Sequence, residues 1–163
     1  VTEKVLDAGG RVTWGVDVCS GISGDMGSQM RIGLQLQRMF ENQKVLENDE
    51  EVNAVKTMAR DTLEFATIEG AKALGMEDQI GTLTPGKRAD IILLRKDDFM
   101  TAPCHSPIQT VVFQADASHI DTVLVDGEVV KRDGQLLNPA VNEEFDRFVE
   151  SGRRLIDEAG IDV

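Results

Sequence analysis

The sequence predicts a mixed α+β chain: several helices, one short buried strand near the start and a small β-sheet further on. Three observations predict it. A helical stretch ends at Gly9-Gly10 and runs straight into the apolar segment Arg11–Val16, the rhythm of an α/β unit. Helical apolar spacing then recurs through residues 25–75. Finally, Asp126-Gly127 separates two apolar runs, a hairpin signal because a type I′ turn needs positive φ at both central positions.

Residues 2–8 read as the end of a helix stopped by the glycine pair. Arg11–Val16 alternates, with Val12 and Trp14 on one side and Thr13 on the other, and ends at Asp17. The small-residue loop CSGISG follows. Ser23 or Asp25 can cap a helix over 25–41. That helix carries Met26, Met30 and Leu34 on one face and Ile32, Leu36, Met39 and Phe40 on a second, an arc wide enough to predict burial on more than one side. The polar NQKVLENDEE reads as a connection. Asn48 and Glu51 then form an N-x-x-E capping pattern, predicting helices over 50–65 and 67–75, interrupted near Gly70 and stopped by Gly75. Pro85-Gly86 suits a type II turn feeding a strand over 89–94 that is buried on both faces. Pro103 and Pro107 mark a loop, 122–125 and 128–131 form the hairpin, 132–135 is a further turn, and 141–159 is an amphipathic helix with Phe145, Phe148, Val149, Leu155 and Ile156 on its stripe.

Composition narrows the function classes. Seventeen basic against 29 acidic residues in 163 give a net charge of −12. A polyanion or an anionic membrane surface would be repelled, so neither nucleic acid nor membrane is expected as a partner. Cys19 and Cys104 are too few for a disulfide framework and fit a reducing cytoplasm. The chain has no initiator methionine and opens as though inside a helix, which suggests a piece of something longer.

Several of these segments, in order, resemble the C-terminal portion of a metal-dependent amidohydrolase, in the branch of cytosine-deaminase-like and chlorohydrolase-like enzymes. RVTWGVD resembles that family's eighth barrel strand, with Val16 where threonine is usual; SGDMGSQMRIGLQLQR resembles the following helix. LEFATIEGAKALGMEDQIGTLTPGKRADIILL is similar to the family's C-terminal signature, and IDTVLVDGEVVKRDGQLL to its closing hairpin. The resemblance implies an α/β parent: a (β/α)₈ barrel plus a small β-sandwich. On that reading residues 1–80 hold the last barrel strand and C-terminal helices, 81–138 part of the sandwich, and 139–163 a C-terminal amphipathic helix.

The resemblance also gives Asp17 a role. At the end of the eighth strand it matches the carboxylate that touches a divalent metal (zinc or iron) or its water, takes a proton as water attacks, and returns it to the departing ammonia or chloride. A hard anionic oxygen and a modest base both suit that task. A turn or cap residue is the alternative for an aspartate after an apolar strand. Ser20 and Ser23 would face a small heterocyclic substrate, whereas Asp25 reads as a helix cap. The family's His-x-His pair and its later histidines have no counterpart here. Only His105 and His119 occur, outside any matching motif and expected on the surface or a β-domain rim. A complete metal site built from this chain alone is therefore not expected. Cys19 reads as a packing residue, Lys87 and Arg88 as turn residues, and Trp14 as part of a barrel core. The parent reads as a hydrolase of non-peptide C–N or C–Cl bonds. The alternative is a non-catalytic fragment or self-associating binding module. Self-association is expected because a strand buried on both faces needs neighbours.

Overall fold

The computed structural model describes residues 2–161. Helix α1 (Thr2–Asp7) leads through Gly9-Gly10 into an extended segment, 11–17, and then into the long helix α2 (Met26–Glu47). Two short helices follow, α3 (Ala59–Phe65) and α4 (Ile68–Ala73). Strand β1 (Ile91–Leu94) comes next, then a helical turn α5 (Pro107–Gln109) that widens into a π-type turn, Thr110–Gln114. The sheet is completed by β2 (Ile120–Val125), β3 (Glu128–Arg132) and β4 (Gln135–Leu136), in order β1-β2-β3-β4 and antiparallel throughout. Helix α6 (Val141–Ala159) closes the chain.

The core lies between α2, α3 and the 107–114 turn. Met30, Leu34, Ala59 and Val112 are buried there, with Trp14, Leu63, Ala66, Ile108, Val111 and Phe113 packed around them. Polar groups tie the layers together. The Arg31 guanidinium donates to the carbonyls of Val112 (3.3 Å) and Ala115 (2.7 Å), satisfying acceptors that the irregular turn leaves open. Arg38 donates to Thr57 O at 3.0 Å and lies over the Phe113 ring.

Several expectations are corrected. Arg11–Val16 is extended and alternates in burial as expected, but it is not paired in a sheet; its Trp14 N–H donates instead to Phe65 O of α3 at 3.3 Å. Helix α2 continues to Glu47, through residues read as a connection. Asn48 caps its C-terminal end, and no helix starts there. Residues 51–58 are irregular because Glu41 draws this segment in, accepting hydrogen bonds from the Thr57 N–H and hydroxyl. Helix α3 starts only at Ala59, where Asp61 accepts from the Met58 N–H at 2.7 Å. The helix break falls at Ala66–Thr67, and Gly70 lies inside α4. Strand β1 is not buried on both faces: it has one neighbour, and Ile92 and Leu93 are half exposed. The second face of α2, Ile32, Leu36, Met39 and Phe40, is likewise uncovered. The 103–107 loop expectation missed the α5 turn, which carries Val112 into the core.

Other features match. Asp126 (φ 51°) and Gly127 (φ 86°) adopt the left-handed pair a type I′ turn demands. The Asp126 N–H donates to Asp90 Oδ1 at 2.7 Å, locking the turn to the entry of β1. Lys87 N donates to Thr84 O across Pro85-Gly86, closing that turn.

Gly33 is required by a close approach. A Cβ built there would stand 2.5 Å from the Trp14 ring, so the indole lies directly on the α2 backbone. Gly33→Ala would have to push a half-buried indole off the helix, which overrides alanine's better helix propensity. The expected outcome is a loss of about 1–3 kcal/mol in urea unfolding followed by circular dichroism. Unchanged or increased stability would contradict this packing.

Candidate functional site

The residues before Asp17 fix where it sits. Trp14 Nε1 donates to Thr62 Oγ1 at 2.7 Å and lies 3.1 Å from Thr62 O. The Thr62 hydroxyl passes its own proton to Met30 O at 3.3 Å, so one fully buried side chain joins the extended segment, α3 and α2. The indole also meets Phe65 edge-to-face, with ring centroids 5.8 Å apart. Three residues beyond this anchor the chain turns sharply. Asp17 has φ 60°, and the Val18 N–H donates back to Val16 O at 2.8 Å. This is a γ-turn with positive φ, a strained conformation for a residue with a side chain. Asp17 is exposed, and among the described residues its carboxylate has no hydrogen-bond or ion-pair partner.

The other candidates divide. Ser23 serves the helix entry: its hydroxyl accepts from Asp25 N–H at 3.3 Å, and its carbonyl accepts from Gln29 Nε2. Asp25 is the N-cap of α2, accepting from Gly27 N, Ser28 N and the Ser28 hydroxyl. Ser20 and Cys19 are exposed in the same loop. No hydrogen bond joins Asp17 to Ser20 or Ser23 among the described residues. His105 is exposed, as expected, but His119 is not. It is buried at the head of β2, with Nδ1 2.9 Å from Asp116 Oδ1 and Nε2 2.8 Å from Asp98 Oδ2, the latter an ion-pair contact without hydrogen-bond alignment. Its place is structural: it pins the 98–101 and 116–118 loops to the sheet. Lys87 likewise caps carbonyls of the 77–80 turn.

Among the described residues no group of three or more His, Cys, Asp or Glu side chains is arranged to hold a metal. Asp17 and the histidines are not brought together.

Sequence reasoning missed Thr62 and Glu41. The signal for Glu41 was present: Gln37 and Glu41 continue the stripe of Met30 and Leu34, so a polar pair was bound to be buried. Burial alone would raise the Glu41 carboxyl. Hydrogen bonds from Thr57 and Gln37, with the nearby Lys56 ammonium, outweigh it and leave the group below its ordinary value. For Thr62 the only hint was that a packed Trp14 needs an acceptor.

A model of the Amidohydrolase family matches residues 2–130. Over 103 residues the chain is 44% identical to an S-triazine hydrolase of Gordonia rubripertincta, covering 61% of this chain and 22% of that protein. Over 155 residues it is 37% identical to a 5-methylthioadenosine/S-adenosylhomocysteine deaminase of Desulforudis audaxviator (strain MP104C), covering 94% of this chain and 34% of that protein. Its fold superposes on an adenosine deaminase from Xanthomonas campestris with bound zinc at a TM-score of 0.74 and 24% identity, covering 94% of this chain and 32% of that one. It superposes on the zinc complex of atrazine chlorohydrolase from Arthrobacter aurescens TC1 at 0.69 and 24% identity, covering 93% and 31%. The chain thus spans about a fifth of the first of these relatives and a third of the second.

The carboxylate beside His119 has a measurable consequence. Hydrogen bonds from the Ser118 hydroxyl and N–H, then from His119, hold the Asp116 carboxyl at about 2, against an ordinary 3.8. A group depressed on folding adds stability above its unfolded value and loses it as pH falls toward its folded one. Asp116→Asn, which keeps a capping oxygen, should therefore flatten the fall in unfolding free energy between pH 3.8 and about 2. Urea titrations across that window check it; parallel slopes in the two proteins would contradict it.

Proposed function

The chain belongs to the amidohydrolase family, and from that premise we propose that it is the C-terminal portion of a hydrolase acting on exocyclic C–N or C–Cl bonds of a small heterocycle. Deamination is the favoured reaction, because the deaminase match extends over 94% of the chain whereas the triazine hydrolase match covers 61%. The intact protein is then a (β/α)₈ barrel with a small β-sandwich. Residues 1–80 contribute its last barrel strand and helices, 81–138 part of the sandwich, and 139–163 the terminal helix. Two free thiols, Cys19 and Cys104, suit a cytoplasmic setting.

Asp17 is the catalytic residue in this reading. The observation that carries it is the strained turn: a non-glycine residue held at φ 60° at the end of a Trp14-anchored extended segment, its carboxylate exposed and uncommitted. Such strain concentrates at functional sites. Asp49 and Asp133 are also exposed aspartates at positive φ, in the turns after α2 and between β3 and β4; Asp17 differs in closing the extended segment that resembles a barrel strand. The end of a barrel strand is also where catalytic groups of this architecture lie. The carboxylate accepts a proton from the attacking water and delivers it to the leaving ammonia or chloride. A divalent metal, zinc or iron, belongs to the intact protein; this chain offers it Asp17 alone, and the remaining ligands lie outside these 163 residues. Ser20 and the Ser23 loop would border the substrate.

The reading is tested on the full-length protein that contains this chain. Asp17→Asn should lower kcat for ammonia release from 5′-methylthioadenosine, or chloride release from a chlorotriazine, by roughly 10²–10⁴-fold, with circular dichroism and metal content retained. Activity within a factor of about three would remove Asp17 from the chemistry. The 163-residue chain taken alone should self-associate through the open edges of 11–16, and a compact monomer in sedimentation velocity at pH 7 would count against that.

A further inference from the structure

Among the described residues, segment 11–17 has no ladder partner, so something other than strand pairing fixes it along its own axis. Its backbone makes one hydrogen bond to another element, from Trp14 N–H to Phe65 O at 3.3 Å. The Trp14 side chain supplies the other contacts. Gly33 lets the ring lie against α2, and Phe65 meets it edge-to-face at 5.8 Å. Apolar contacts of this kind are non-directional and let a flat ring slide. The 2.7 Å hydrogen bond from Nε1 to the Thr62 hydroxyl does not, because it weakens steeply as distance and angle drift.

We propose that Thr62 is a positioning residue for Asp17: through the Trp14 indole it sets where along the segment's axis the carboxylate is presented. This role rests on the catalytic reading of Asp17. Thr62 itself makes no hydrogen bond to Asp17 among the described residues. Burial alternates along the segment, with Val12, Trp14 and Val16 half-buried and Thr13, Gly15 and Asp17 exposed. The tether therefore grips one side of the segment, and Asp17 belongs to the other. The lever between them is short, three residues of extended chain or about 10 Å. Thr62 is a firm anchor for it. The residue is fully buried, and its hydroxyl is committed twice, accepting from Trp14 and donating to Met30 O at 3.3 Å. The start of α3 is held as well, by Asp61 accepting from the Met58 N–H at 2.7 Å. A general base must lie within hydrogen-bond reach of the proton it takes. A misplacement of about 1 Å costs about 10²-fold in rate, so a buried hydroxyl on α3 governs turnover at the exposed turn.

The test uses the full-length protein that contains this chain, with whichever of 5′-methylthioadenosine or a chlorotriazine it turns over. Thr62→Val keeps the side chain's shape and removes the hydroxyl, while Thr62 O, 3.1 Å from the indole nitrogen, remains to receive the N–H. The expected result is a fall in kcat of roughly 10–100-fold. KM should stay within about twofold, and Thr62→Ser should recover kcat to within about threefold of the parent value. Trp14→Phe should lose a similar factor, and the double variant Thr62→Val/Trp14→Phe no more than either single one, since both remove the same bond. A readout independent of turnover is the Trp14 indole N–H resonance, assigned by its loss in Trp14→Phe. It should move upfield in Thr62→Val and return in Thr62→Ser. Undiminished kcat in Thr62→Val or in Trp14→Phe would overturn the proposal. So would a loss that Thr62→Ser does not recover, losses that multiply in the double variant, or an unmoved indole resonance. Asp17→Asn tells the two failures apart. If it is inactive while Thr62→Val is fully active, only the positioning role falls; if Asp17→Asn is itself active, the catalytic reading falls and the positioning role with it.

Discussion

The hydrogen bond from the Trp14 indole to Thr62 is the constraint on which the rest of the structure hangs. Thr62 is fully buried and holds α2 through Met30 O while receiving Trp14, so its hydroxyl is both acceptor and donor within one network. Removing either partner would leave a buried polar group unpaired, a cost of about 1–3 kcal/mol. Gly33 completes the arrangement by letting the ring lie against the helix backbone. With Trp14 fixed, the chain has three residues in which to reach the turn, and the position of Asp17 follows from that tether.

The same economy explains why so much apolar surface lies open. The buried core is confined to the contact of α2, α3 and the 107–114 turn. Among the described residues the outward face of α2 and the side of Arg11–Val16 bearing Thr13 are open, and Ile92 and Leu93, on opposite faces of β1, are half exposed. These are not scattered residues. They fall on contiguous elements of the chain. The chain spans about a third of the length of the deaminase it matches.

Legibility followed locality. The Asp126-Gly127 hairpin, the Pro85-Gly86 turn, the Asp25 cap and the amphipathic period of α6 depend on residues a few positions apart, and all four could be read directly. The failures share a different cause. Whether Asn48 starts a helix or ends one was decided by Glu41 capturing Thr57, a contact across 16 residues. Whether Arg11–Val16 pairs as a strand was decided by neighbours that a periodicity cannot supply. His119 looked like a surface residue because nothing in IDTVLV or its flanks announces that Asp98 and Asp116 converge on it. For the candidate site, the anchor was partly legible, since a packed tryptophan must satisfy its N–H. The conformation of Asp17 was not, because Val16-Asp17-Val18 lacks the following glycine by which Asp126-Gly127 signals its turn.

Three aspartates that follow extended backbone, Asp17, Asp25 and Asp116, use their carboxylates differently. Sequence alone would class them together as turn or cap residues. Asp25 and Asp116 each spend their oxygens on amides two or three residues ahead, and the Asp116 carboxyl is correspondingly held below its ordinary range. Asp17 spends its oxygens on nothing in this chain, yet the backbone accepts strain to present it. Asp49 and Asp133, in turns at φ 56° and 52°, share this second arrangement, so position at the end of the extended segment is what distinguishes Asp17. A residue kept for a reacting group would hold it, with its carboxylate free, because a base already engaged by backbone amides is a weaker base. The strained turn and the uncommitted carboxylate occur together at Asp17, and the Trp14–Thr62 tether three residues earlier fixes where they lie.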